Sequence, residues 1–245
     1  MDRDVQIKDD ETLDILCNEK LLLIQKKDGY RFSIDSILIS NFVRLKKDEK
    51  VLEIGSGCGV IPIYLSKKGY RNPFVGVEIQ GELFSLSERN RDLNGCDNIH
   101  FIHGDIRIMK EFLKREPFDV VISNPPYTKE KAGRKSPKRS KLLARHESTL
   151  SASEIMEISS ALLKFLGRLY LVYPAHRLSE IILSGETCGL EPKRIRFVHS
   201  RMNEMANLAL IELRKGAKAG LIVEKPLYVY EDSGYTEEVR SYYEL

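Results

Sequence analysis

No window of this chain is apolar for long enough to span a bilayer, and Met1-Asp2-Arg3-Asp4 does not begin a signal peptide. The four cysteines, Cys17, Cys58, Cys96 and Cys188, include no C-x-x-C pair. That spacing argues against a disulfide framework or a zinc site and for a reducing, cytoplasmic setting. The five histidines lack metal-ligand spacing, so no metal is expected. Repeats and low-complexity blocks are missing as well. The formal net charge is only +3, so the overall balance does not mark a nucleic-acid binder. A hydrophobic fraction of 42% nevertheless excludes disorder of the whole chain, and 245 residues suit a single α/β unit with an N-terminal extension.

The most informative feature present is Asn124-Pro125-Pro126-Tyr127, which follows the apolar strand-like run Phe118–Ser123. Two successive prolines remove two N–H donors, so the backbone there cannot extend a ladder. The carbonyls of Asn124 and Pro125 are left as acceptors beside an aromatic ring. Acceptors without donors, next to a stacking surface, suit a planar group that carries an NH2. Adenine's amino nitrogen is a poor nucleophile because its lone pair is delocalised into the ring. Two acceptors on its hydrogens favour tetrahedral geometry and free that lone pair, which is stabilisation by placed dipoles. Read alone, the tetrapeptide is also compatible with an ordinary Pro-rich turn.

The second constellation is Val51 to Val60, an apolar strand that carries Glu53 and runs into Gly55-x-Gly57-x-Gly59 and a helical segment to about Lys68. Glycines at a strand-to-helix turn allow positive φ and close approach of a ligand to the backbone. A dinucleotide-binding turn wants glycine or alanine three residues after Gly57, where this chain has Val60, which weakens a nicotinamide reading. Two further strands end in carboxylates, Phe74–Glu78 and Ile99–Asp105. In a parallel sheet Glu53, Glu78, Asp105 and Asn124 share one edge, where ligands bind.

This ordered set resembles the class I S-adenosylmethionine-dependent methyltransferases, a Rossmann-like, doubly wound α/β fold with a seven-stranded sheet. The resemblance implies that Gly55, Gly57 and Gly59 pass under the cofactor. It gives Glu78 the ribose hydroxyls, Asp105 the adenine, and Glu53 a part in setting the charge around the loop. The tetrapeptide marks the branch that methylates planar amino groups, with Asn124, Pro125, Pro126 and Tyr127 at the reacting centre. Together with Gly29–Leu38, a β-hairpin opened by Glu11–Asp14, and Arg145-His146-Glu147, the chain is similar to the bacterial valine-tRNA adenine-N6-methyltransferase group from about Asp10 to Tyr230. In that group Phe32 and Ser33 would cover the cofactor. The organisation implied is an N-terminal extension of hairpin and helix over 1–48, a methyltransferase domain over 49–230, and a tail over 231–245.

Between Lys129 and Arg145 lie eight basic residues, Lys129, Lys131, Arg134, Lys135, Lys138, Arg139, Lys141 and Arg145, against one acid, Glu130. Gly133 and Pro137 break any helix, so a basic loop is expected at the mouth of the site, placed to meet phosphates. Further on, Ser151 and Glu154 form a capping-box pattern, with helical apolar spacing to Leu166. A fifth strand at Arg168–Tyr173, a helix to about Cys188, and two more strands near Ile195–Val198 and Leu208–Leu213 complete seven, the last two as an antiparallel pair. The five tyrosines of the C-terminal region, Tyr228, Tyr230, Tyr235, Tyr242 and Tyr243, are expected to pack. The function expected is methyl transfer from S-adenosylmethionine to adenine N6 in RNA, with tRNA near the anticodon the favoured partner. Alternatives are a protein-glutamine N5-methyltransferase, a DNA or rRNA base methyltransferase, or a non-catalytic RNA-binding module on the same fold.

Overall fold

A computed structural model describes residues 6–28, 31–126, 150–232 and 234–245. It begins with an antiparallel hairpin, β1 (Glu11–Leu16) and β2 (Leu21–Lys26), and helix α1 (Ile34–Phe42). Strands and helices then alternate: β3 (Val51–Ile54), α2 (Val60–Lys67), β4 (Phe74–Glu78), α3 (Gly81–Asn94), β5 (Ile99–His103), α4 (Ile106–Leu113) and β6 (Phe118–Ser123). Beyond residue 150 come α5 (Ala152–Leu162), β7 (Leu163–Pro174), α6 (Leu178–Thr187), β8 (Leu190–His199) and β9 (Ala206–Lys215). Four two-residue strands follow, β10 (Ile222–Val223), β11 (Leu227–Tyr228), β12 (Tyr230–Glu231) and β13 (Gly234–Tyr235), and then helix α7 (Glu237–Ser241).

The main sheet has the order β8-β9-β7-β6-β3-β4-β5, and the short β10 and β11 both pair with β8. Strands β3 to β7 are parallel, while β9 runs antiparallel to both its neighbours. The seven expected strands are therefore present, with the antiparallel pair at the expected end. Helices cover both faces, so β3 is buried throughout and reads as a short apolar run around Glu53. Alternate residues of β7 feed two cores. Tyr170 and Val172 join the one under α1, α2 and α3, and Leu169, Leu171 and Tyr173 join the one under α4, α5 and α6. The chain leaves β3 toward β4 and β5, then returns to β6 on its other side. That reversal opens a crevice at the carboxyl ends of β3 and β6.

One boundary differs from the sequence expectation. The helical spacing to Leu166 is cut short, because α5 ends at Leu162 and β7 begins at the next residue. Leu166 has φ +60°, and a Cβ on Gly167 would lie 2.9 Å from the Lys164 carbonyl and 3.1 Å from that of Asp119. A bulge thus joins helix to strand where the β6–β7 register shifts. A continuous apolar run serves either element, so periodicity could not place the switch. The capping box does form: the Ser151 hydroxyl accepts from the Glu154 N–H, and the Glu154 carboxylate accepts from the Ser151 N–H.

The C-terminal tyrosines pack. Tyr235 stacks on Tyr230 and Tyr243 with ring centroids 5.2 and 5.8 Å apart, and the Tyr64 hydroxyl on α2 donates to the Tyr242 carbonyl at 2.6 Å. Among the described residues no helix is long and apolar enough to cross a membrane.

Candidate active site

Three strand ends and one turn build the site. Ile54 is level with Val77 on β4 and Ser123 on β6, so Glu53, Glu78 and Asn124 converge on one edge. After β3 the backbone folds over β4, with the N–H groups of Gly55 and Ser56 both donating to the Val77 carbonyl. The three glycines of the turn then separate by task. Gly55 has φ +73°, and a Cβ there would meet nothing within 4 Å. Gly57 donates its N–H to Glu78 Oε2 at 2.8 Å. Gly59, at φ +84°, caps α2, and its Cβ would sit 2.7 Å from the Phe101 ring. Gly55 lines the cleft; Gly59 is glycine because of packing beneath it.

Two hollows adjoin at Gly55. The first is lined by Phe32, Ser36, Glu53, Gly55, Ser56, Cys58, Val60 and Asn124. The second, about 450 Å3 and open to solvent, includes Val77, Ile79, Asp105, Ile106, Pro125 and Pro126. The Asn-Pro-Pro turn therefore borders both, Asn124 on one side and the prolines on the other.

The first hollow is poor in compensating charge. Among the described residues none that lines it is cationic, and Glu53 Oε2 and Ser56 Oγ are buried without a hydrogen-bond partner. Burial, and then the nearby Glu78 carboxylate, push the Glu53 carboxyl well above the usual range. Burial also raises Glu78, against the opposing N–H bonds from Gln80 and Gly57. Cys58, inside the glycine turn, is pushed up to about 12 by burial and is a neutral thiol.

Asn124 Nδ2 donates to the Ser36 hydroxyl at 3.1 Å, which turns its amide nitrogen toward α1. Phe32 lines the same hollow, and its N–H donates to Gln25 Oε1 at 2.9 Å. Ser33 instead stands at the N-cap of α1 and is not among the lining residues. Asp105 lines the second hollow but is engaged by Arg107, whose Nη2 lies 2.7 Å from Oδ2 and whose N–H bonds Oδ1 at 2.9 Å. The Arg107 guanidinium holds the Asp105 carboxyl below the usual range. Tyr127, the eight basic residues from Lys129 to Arg145, and His146 and Glu147 lie outside the described residues. Ser36, Ser56, Ile79 and Ile106 were not singled out from sequence. Ser36 does fall in the quoted Gly29–Leu38 segment, and Ile79 and Ile106 each directly follow a named carboxylate. Among the described residues no group of side chains could hold a metal ion.

The residues present fit S-adenosylmethionine on three observations. Space is open above Gly55, where a side chain would block a ligand. The orphaned Glu53 and Ser56 oxygens offer acceptors to a cationic amine. Ile79 and Ile106 supply apolar walls for a flat base.

Known proteins agree. The chain is 24% identical over 218 residues to a tRNA1(Val) (adenine(37)-N6)-methyltransferase from Dyadobacter fermentans, covering 88% of this chain and 89% of that one. A protein of the same name from Porphyromonas gingivalis is 31% identical over 160 residues, 64% of this chain and 59% of that one. Among solved structures, a predicted O-methyltransferase from Agrobacterium tumefaciens superimposes with TM-score 0.67 at 20% identity, over 84% of this chain and 94% of that one, a likeness of fold. The methyltransferase domain family model matches residues 45–216. That match spans the glycine turn, all four strand ends and the antiparallel pair, and the chain belongs to the methyltransferase domain family.

Proposed function

We propose that this protein transfers a methyl group from S-adenosylmethionine to the N6 of an adenine in RNA, with a tRNA beside its anticodon as the substrate. The observation that carries the reading is the position of Asn124, on the wall of the same hollow as Glu53, Gly55 and Phe32. An amino-group acceptor and a cofactor cradle thus share one cleft. The names of the relatives from Dyadobacter fermentans and Porphyromonas gingivalis support tRNA adenine as the target.

The bound cofactor supplies a methyl group on a sulfonium centre. Asn124, its amide nitrogen turned to Ser36, accepts one N6 hydrogen through its side-chain oxygen, and the Pro125 carbonyl accepts the other. Pro125 and Pro126 present no N–H that would oppose this. Tyr127 holds the base by stacking, worth roughly 1–3 kcal/mol. Glu78 binds ribose hydroxyls, Asp105 and its neighbours the cofactor's adenine, and Glu53 the amine end. Phe32, followed by Ser33 at the start of α1, covers the cleft as part of an extension over residues 1–48, ahead of a transferase unit at 49–230 and a tail at 231–245. The basic residues Lys129 to Arg145 contact phosphates, so affinity falls by about 0.7 log units per neutralised phosphate for each tenfold rise in salt. The target base leaves its stack to enter, at a cost of a few kcal/mol that is least in a single-stranded loop. Such an enzyme works in the cytoplasm.

The test is tritiated methyl transfer to separate tRNA, rRNA, DNA and protein pools, followed by nucleoside and amino-acid analysis. N6-methyladenosine in the tRNA pool is the expected product. Label in glutamine, in DNA or in rRNA alone would replace this reading with one of its alternatives.

A further inference from the structure

Among the described residues the hairpin is not hydrogen-bonded to the main sheet; α3 holds it, by an ion pair from Arg89 to Glu11 on β1 and by two asparagines that grip β2. Asn90 and Asn94 are one helical turn apart, so their side chains share a face. Each amide brackets one residue of β2 as a neighbouring strand would. Asn94 Oδ1 accepts from the Leu22 N–H at 3.1 Å and its Nδ2 donates to the Leu22 carbonyl at 2.6 Å. Asn90 Oδ1 accepts from the Ile24 N–H at 2.7 Å and its Nδ2 donates to the Ile24 carbonyl at 3.1 Å. The spacing matches: four helical residues rise about 6 Å, and two strand residues advance about 6.6 Å. A carboxamide carries the same donor and acceptor as a peptide group, so the pair satisfies the edge of β2 that β1 leaves bare.

The two asparagines differ in one respect. Asn90 Nδ2 also donates to the Cys58 carbonyl at 2.9 Å, inside the glycine turn, and Asn90 is fully buried. From β2 the chain of contacts runs on to the cleft. Gln25, next to Ile24, accepts from the Phe32 N–H, and Phe32 lines the hollow that Cys58 also lines. One side chain therefore grips the floor of the hollow and the segment that carries its cover.

We propose that Asn90 is a positioning residue that couples the seat of the N-terminal hairpin to the shape of the glycine turn, so that cover and floor of the cleft move as one piece. This rests on reading the cleft as a cofactor site, and it assigns Asn90 a part in cofactor affinity without contact to the cofactor. Asn94 is the internal control, because it holds the same hairpin but does not touch the turn.

The experiment compares the unaltered protein with Asn90→Ala and Asn94→Ala, using S-adenosylhomocysteine as the calorimetric probe and melting temperature as the stability readout. Both variants are expected to melt lower. Asn90→Ala is expected to weaken probe binding roughly 5-fold or more, while Asn94→Ala stays within about twofold. Equal affinities in the two folded variants would overturn the coupling. If Asn90→Ala does not fold, hydrogen exchange on the unaltered protein decides. Probe binding should slow exchange at Leu22 and Ile24 together with residues 57–59, and slowing confined to the turn overturns the proposal. Failure of the unaltered protein to bind the probe is a separate result, which removes the cofactor reading itself.

Discussion

On the β3–β4 side of the sheet, Glu53 and Glu78 are buried at strand ends, and among the described residues neither forms an ion pair. On the β8–β9 side, buried Arg194 lies 2.7 Å from Glu212 and 2.8 Å from Glu224, with its guanidinium 4.2 Å from the centre of the Phe42 ring. Arg168 is treated alike, bonded to Glu49 and, at 2.6 Å, to the Arg44 carbonyl. Both regions are dry enough for an unbalanced charge to be costly. In the second the charges are matched within the chain and serve the fold. In the first the chain leaves the match incomplete, at the place where a family-typical ligand would complete it.

Three substitutions would sharpen or break that contrast. The largest effect belongs to the paired side. Arg194→Met leaves buried Glu212 with the longer 3.4 Å contact to Arg214 in place of its 2.7 Å pair and should cost about 3 kcal/mol in urea unfolding, with most of it regained in Arg194→Met/Glu212→Leu. A small loss in the single variant would mean that these charges are not held as an obligatory pair. Next comes Asn124→Ala, which should lower turnover on the order of 100-fold while S-adenosylhomocysteine still binds and the fold persists. Turnover near the unaltered rate would remove Asn124 from the chemistry. The smallest effect is Glu53→Gln, since an amide closely resembles the neutral acid that burial favours there. A carboxyl raised in the folded state gives stability that is present below its unfolded value, 4.5, and is lost as pH rises through the folded value. The unaltered protein should therefore weaken above that pH, and Glu53→Gln should flatten part of the slope. Glu78, raised in the same direction, keeps the rest. An unchanged slope would place the buried ionisation elsewhere.

The strand ends were readable in advance because each closes a local pattern, an apolar run followed by an acid or by Asn-Pro-Pro. Glu53, Glu78, Asp105 and Asn124 all stand on the expected edge. The links between them were not readable. Ser36 meets Asn124 across 88 positions, and Asn90 meets Ile24 across 66. A polar residue on a polar helix such as α3 looks solvated until the hairpin is docked on it. The three glycines formed one motif in sequence yet divide by environment: Phe101 fills the space beside Gly59 and nothing fills that beside Gly55. The bulge at Leu166 was hidden for a different reason, since its apolar neighbours satisfy a helix and a strand equally.

The burial of Cys58 has a practical consequence. Cys17 and Cys96 are buried too, and Cys188, half-buried where α6 ends, is the most accessible of the four thiols. A maleimide dye applied to the native protein should attach there first, on the far side of β7 from the glycine turn, and give a fluorescent reporter that leaves the ligand cleft untouched.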